Sequence, residues 1–354
     1  MPGNWTRAWK VSVRVGHFSV KRVQPQKWLF AIALTFFLGE ISLRVAQHYH
    51  PTVLMRHPNR YHQLKARPGD LSYGFPVNAD GFKDRPFTLE KFPDEYRVAV
   101  LGDSFVFGMI PYEYGFCVLL EDRAPSFRFM NFGVIGASPE DYLAVLEKDA
   151  MRFSPDAVWV FLYAGNDFMF ARRSWYERSA LITFVYRLTK VARTYQGQDI
   201  RQNYRYDDDM MPFTREVYMQ TQTRYARTYV DTEQSFRGQF NLVLSSLDAM
   251  HAICRRAGVA FRVVLLPDRQ QFDADIQGEV ARRLSRDPNT VDWLRPQRLL
   301  EQALYERQIS YLDLLPAFTA SAQRLYINHD IHLNIAGNRL VRDTIPDVWL
   351  QRDR

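Results

Sequence analysis

Apolar residues along this chain fall into two kinds of pattern. Five short runs are largely apolar at consecutive positions and stop at a glycine or polar turn. They are Val98–Leu101 before Gly102-Asp103-Ser104, Phe127–Phe132 before Gly133-Val134-Ile135-Gly136-Ala137-Ser138, Ala157–Tyr163 before Ala164-Gly165-Asn166-Asp167, Phe261–Leu266 before Pro267-Asp268, and Ser310–Leu312. Continuous runs of this length suit strands buried on both faces, as in a parallel sheet. Between them the apolar residues recur at helical spacing, over Pro139–Arg152, Thr232–Arg256 and Val291–Gln308. Strand and helix in alternation predict an α/β fold, a five-stranded parallel sheet with helices on both faces.

Two stretches break the alternation. From about 168 to 232 the chain mixes Arg172, Arg173, Arg178, Arg187, Lys190, Arg193, Arg201 and Arg205 with aromatics, and ends in Asp207-Asp208-Asp209-Met210-Met211. Ser179–Ala192 carries a helical apolar stripe. Two readings stay open: an insertion packed on the core, or a lid or membrane-surface flap built on a basic amphipathic helix. The region Asp268–Asn289 reads as turn, a second loop able to flank a site.

The N-terminal pattern is different again. Trp28–Gly39 is uncharged, 12 residues long, and extends through Glu40 and Arg44 to Val45. Membrane helices need roughly 20 residues; the extended run reaches that length, with Glu40 and Arg44 four apart and able to pair. Arg7, Lys10, Arg14, Lys21, Arg22 and Lys27 precede it with no acidic residue. By the positive-inside rule this leaves the N-terminus in the cytoplasm. No small-residue cleavage site follows, so an uncleaved signal anchor is expected. The alternative is a buried amphipathic helix. The expected organisation is a basic tail over 1–27, a transmembrane anchor over 28–47, a connector over 48–95 and a domain over 96–350. The connector is marked by Pro51, Pro58, Pro68, Pro76, Pro86 and Pro93, with a turn at Asn78–Phe82. The domain would lie outside the inner membrane, on the periplasmic side.

Charge and composition narrow the function. The net charge is +7, but residues 1–27 hold six of those charges, which leaves +1 for the rest. The basicity belongs to a tail, and no nucleic-acid-binding face is expected. Hydrophobic residues make up 47% and charged residues 24%, which excludes extensive disorder. Cys117 and Cys254 make no disulfide framework and no Cys/His metal spacing. They read as buried thiols, with one bridge open to them in an extracytoplasmic domain.

Ser104 stands where a parallel strand opens onto a helix, the sheet edge at which ligands bind. A serine there is a candidate nucleophile with its own N–H as part of an oxyanion hole; the plain alternative is an N-cap. A nucleophilic serine needs a base and a group to orient that base. Of eight histidines, His17 is in the tail, His48, His50, His57 and His62 are in the connector, and His251 is within a helix. Asn328-His329-Asp330-Ile331-His332 remains. Asp330 two residues from His332 can take one ring nitrogen while the other faces Ser104. A metal site from His329, Asp330 and His332 competes, without a ligand cluster elsewhere.

With these residues in place, the chain resembles the SGNH (GDSL-type) hydrolase superfamily, across residues 101–337. Gly102-Asp103-Ser104-Phe105 is similar to the nucleophile block. Gly136 matches the glycine whose N–H donates to the oxyanion, Asn166 in Gly165-Asn166-Asp167 matches the asparagine donor, and Asp330 with His332 matches the acid and base. The commoner family spacing, Asp-x-x-His, would put the acid at His329; the Asp-x-His variant makes it Asp330. No Gly-x-Ser-x-Gly elbow is present, which argues against the α/β-hydrolase fold. The resemblance implies a flavodoxin-like three-layer sandwich and a serine esterase needing no cofactor or metal. Its substrate would be an acylated carbohydrate, with O-acetyl groups removed from or transferred on an extracytoplasmic polysaccharide. A lipid esterase and a non-catalytic glycan-binding scaffold are the alternatives.

Overall fold

The computed structural model describes residues 25–49, 65–169, 179–182, 184–185 and 206–352. The cations of the basic tail up to Arg22, and the eight arginines and lysines of the insertion from Arg172 to Arg205, lie outside them. So does most of the Ser179–Ala192 stripe.

Five parallel strands form the central sheet: β1 (Tyr96–Gly102), β2 (Phe127–Gly133), β3 (Ala157–Tyr163), β4 (Ala260–Leu266) and β5 (Ser310–Asp313). Their order is β2-β1-β3-β4-β5, parallel throughout. This is the doubly wound order in which the first crossovers run to opposite sides, leaving a crevice between the C-terminal ends of β1 and β3. Every residue of β1 and β3 is buried. That explains why their sequences do not alternate.

One layer over the sheet contains α4 (Pro139–Lys148), α6 (Glu233–Ala257) and α8 (Arg295–Glu306). Phe236, Phe240, Val243, Leu247, Met250 and Cys254 of α6 make the stripe that meets Ala99, Leu101, Val160 and Val263. The other layer contains α3 (Phe116–Arg123), α9 (Leu315–Ala320) and α10 (Ile335–Thr344), packed with Trp349 on Val98, Val100, Trp159 and Phe161. Cys117 and Cys254 are both free and belong to opposite layers. No bridge joins them. Ahead of the sheet, Asn78 Oδ1 accepts from the N–H groups of Asp80 and Phe82, forming the expected turn. That turn buries Phe82 against Phe132.

Two expectations need correction, and one alternative falls away. Asp268–Asn289 is not loop throughout: α7 (Ala274–Arg283) starts on Asp273, whose side chain accepts from the N–H groups of Asp275 and Ile276. Its apolar face is only Ile276, Val280 and Ala281, too short a stripe to stand out beside Gly278 and four charged residues. The helix expected from Val291 begins at Arg295, because Pro296 fits the first turn of a helix but would break its interior. Ser104 is not an N-cap. Asp103 is, and Ser104 is the first residue of the single-turn helix α2 (Ser104–Phe107).

At the N-terminus α1 runs from Pro25 to Tyr49, and within it Gln26–Ala46 is long and apolar enough to cross a membrane. Its apolar side chains, Trp28, Phe30 and Phe37 among them, are exposed.

Candidate active site

The turn that presents Ser104 is dictated by glycines. A Cβ on Gly133, at the end of β2, would sit 2.1 Å from the Phe107 nitrogen and 2.6 Å from the Val106 carbonyl carbon. A Cβ on Gly102 would sit 2.3 Å from Val106. Two adjacent strand ends thus lack side chains so that α2 can fold tightly over them. Asp103 accepts from the Phe105 N–H at 2.9 Å and closes the start of that helix.

The acid and base come from the loop before α10. His332 Nε2 lies 2.7 Å from Ser104 Oγ, and His332 Nδ1 lies 2.7 Å from Asp330 Oδ1. The same Asp330 oxygen accepts from the N–H groups of Ile331 at 2.6 Å and His332 at 3.3 Å. Burial pushes the Asp330 carboxyl up, but the His332 ring and these hydrogen bonds outweigh it and hold the group below its ordinary value. Asp330 is therefore an anion at neutral pH, bound to the nitrogen of His332 that faces away from the serine. The chain turns at His329 with φ of +51°, and the His329 ring stacks on Tyr218 at 6.0 Å. The rival metal set does not come together: among the described residues no three His, Cys, Asp or Glu side chains group as metal ligands.

Gly136 follows β2 in the left-handed region, φ +72°, a conformation glycine adopts without penalty. Among the described residues neither its N–H nor that of Ser104 has a hydrogen-bond partner. Asn166, after β3, donates from Nδ2 to Asp103 Oδ2 at 3.2 Å. Its buried Oδ1 has no partner. Ser104, Asp330, His332 and Asn166 are thus brought together around the crevice, and Gly136 follows the neighbouring strand.

Sequence reasoning missed the polar layer beneath. Burial pushes the Asp103 carboxyl up, opposed by the Phe105 N–H and Asn166. Asp167 accepts from the Tyr163 N–H at 2.7 Å and from the Tyr142 hydroxyl at 2.8 Å. Burial, together with the neighbouring Asp103, drives its carboxyl well above the ordinary range. Both aspartates stand in strings already conspicuous, GDS and GND, where a charge ends an apolar strand. Tyr142 left no signal. Asp268, after β4, is also buried, with the hydroxyls of Tyr163 and Tyr229 at 3.1 and 3.2 Å.

The described end of the insertion borders the site. α5 (Arg215–Tyr225) places Tyr225 edge-on to Tyr163, and the Thr228 hydroxyl meets the Gly165 carbonyl at 3.4 Å. Arg324, in the loop before the acid, binds the Asp208 carbonyl and the Asp209 carboxylate.

No family model matches the chain, and no curated protein matches it. Among solved structures 34 chains match. A lipolytic protein of the G-D-S-L family from Veillonella parvula is 15% identical, with 72% of this chain and 99% of that one covered and a TM-score of 0.38. An acetylxylan esterase from Geobacillus stearothermophilus, as a catalytic mutant, is 12% identical over 75% of this chain and 100% of that one, TM-score 0.40. The psychrotrophic esterase EstA from Pseudoalteromonas sp. is 13% identical over 72% and 99%, TM-score 0.36. At identities this low the likeness says nothing about substrate.

Proposed function

We propose that the chain is a serine ester hydrolase of the SGNH type that works through an acyl-enzyme. Its catalytic unit spans residues 96–350, and α1 is the membrane anchor. The observation that carries this reading is the relay Ser104–His332–Asp330, with 2.7 Å at each of its two steps.

His332 Nε2 takes the Ser104 proton as Oγ attacks an ester carbonyl, and the ionised Asp330 stabilises the imidazolium at Nδ1. The carbonyl oxygen becomes an oxyanion. The N–H groups of Ser104 and Gly136 and the Asn166 amide are its donors, and one such donor is typically worth about 10²–10³ in rate. His332 then returns the proton to the departing alcohol. A water, or a sugar hydroxyl in a transferase, repeats the sequence in reverse and frees the serine.

The substrate we favour is an O-acetyl ester on a polysaccharide outside the inner membrane. The six upstream cations and the exposed apolar α1 support that address. Full-length protein in detergent is offered p-nitrophenyl acetate and longer-chain esters, beside Ser104→Ala. Turnover of the acetyl ester that vanishes in the variant, with fluorophosphonate labelling of Ser104, is expected. Absence of both overturns the hydrolase reading, and rates that rise with chain length overturn the acetyl assignment in favour of lipid. A periplasmic reporter fused after Tyr49 reads the orientation; activity only in a cytoplasmic reporter reverses it.

A further inference from the structure

Glu40 is a carboxylate inside the candidate span, six residues before its end at Ala46. At 1.5 Å per residue that is about 9 Å inside the apolar segment. An ionisable group at such a depth needs partners and marks a working position. Arg44 supplies one, donating from Nε at 2.7 Å. The remaining partners come from far along the chain. Glu40 accepts from the Ser179 hydroxyl at 2.8 Å, the Ala180 N–H at 3.0 Å and the Leu181 N–H at 2.9 Å.

The two backbone donors are the first amides of a helix: residues 180–182 and 184–185 are helical. The next amide, Ile182 N–H, is satisfied by Ser179 Oγ at 3.1 Å. The first N–H groups of a helix have no partner within the helix and must be satisfied from outside it. Here the first three are bound by Glu40 and Ser179, which is what a helix beginning in lipid requires. The contact face on α1 is consistent with this. Gly39, Glu40, Leu43 and Ala46 are the partly covered positions over Gly39–Ala46, one helical stripe, with the residues between them exposed. A Cβ on Gly39 would lie 3.4 Å from Leu181 Cδ2, in ordinary van der Waals contact, so positions 39 and 181 face each other directly.

We infer that the segment starting at Ser179 enters the outer boundary of the bilayer alongside α1, with Glu40 as the group that docks it. The partner surface is the lipid bilayer itself. The insertion thereby fastens the catalytic unit to the membrane at a second point. The inference rests on the anchor reading of α1 and is independent of the chemistry at Ser104.

The test uses the full-length chain in phosphatidylethanolamine and phosphatidylglycerol vesicles. Oxidative cross-linking of Gly39→Cys with Leu181→Cys, read by mass spectrometry of the joined peptides, is expected to be efficient. It should fall about tenfold or more when Glu40→Ala removes the charged acceptor. Glu40→Gln, which keeps one acceptor, should fall between. An environment-sensitive fluorophore on Ile182→Cys should be quenched by nitroxide on lipid acyl chains. The thermal transition of each variant reports separately that the domain is folded. Cross-linking indifferent to Glu40, cross-linking absent from the folded protein, or an Ile182 probe that lipid nitroxide does not quench overturns the inference. Carbonate extraction reads the anchor by itself, and an inert Ser104 leaves all these signals unchanged.

Discussion

The Asn166 amide donates to the Asp103 carboxylate at 3.2 Å, so the loop after β3 is tied to the nucleophile turn after β1. Asp103 in turn caps α2 through the Phe105 N–H. One buried carboxylate therefore sets both the backbone that presents Ser104 and the side chain expected to meet the oxyanion.

Asn166→Ala removes a donor and frees Asp103 at once. The expected outcome is a fall in kcat of about 10²–10³ with a small change in KM. Steady-state kinetics on p-nitrophenyl acetate check it. A change in KM alone would assign Asn166 to ground-state binding.

Asp330→Asn keeps the shape of the acid but presents His332 Nδ1 with an amide in place of an anion. A loss of about 10³–10⁴ in kcat is expected, with the fold intact. Fluorophosphonate labelling of Ser104 should slow in parallel.

Gly133→Ala tests the close approach of β2 to α2. The added Cβ meets backbone atoms at 2.1 and 2.6 Å, and backbone cannot rotate away. A cost of about 3 kcal/mol or more is expected, which in a domain of this size lowers Tm by about 10 °C. Calorimetry measures it. Gly238→Ala, on the open face of α6, should be tolerated, because nothing lies within 4 Å of its Cβ.

Asp268 and Asp330 give opposite pH dependences of stability. Burial pushes the Asp268 carboxyl up to about 6 despite its hydrogen bonds to Tyr163, Tyr229 and Gln270. The folded protein then holds a proton that the unfolded chain releases, so stability from this group is lost as pH rises through about 6. Asp268→Asn should flatten that decline between about pH 4 and 6, seen in urea midpoints at a series of pH values. Asp330, held low, contributes stability above its ordinary value that is lost as pH falls below it. A decline between about pH 4 and 6 that survives in Asp268→Asn would assign it to other groups.

What the sequence disclosed follows from where each residue's signal is local. The strands were legible because Val98–Leu101 and Ala157–Tyr163 are buried on both faces and need no partner to look apolar. Ser104, Gly136, Asn166, Asp330 and His332 stood out because each sits in a short string at a strand or helix end. Asp103 was in plain view, but its role depends on Asn166, 63 positions away, and no spacing rule reaches that far. Tyr142 is a helical aromatic like any other until Asp167 is placed beneath it. The helix α7 was missed because three apolar residues among arginines do not make a period. The partner of Glu40 could not be foreseen either, since a carboxylate in an apolar run suggests only its neighbour Arg44.

Cys117 and Cys254 sit under opposite layers of the sheet, one on α3 and one on α6. Burial pushes the Cys117 thiol well above its ordinary value and the Cys254 thiol up to about 12. Neither reacts until its own layer lifts. The native chain therefore carries two internal clocks: pulses of thiol reagent during unfolding would time the departure of each layer separately, and show whether the nucleophile side or the α6 side opens first.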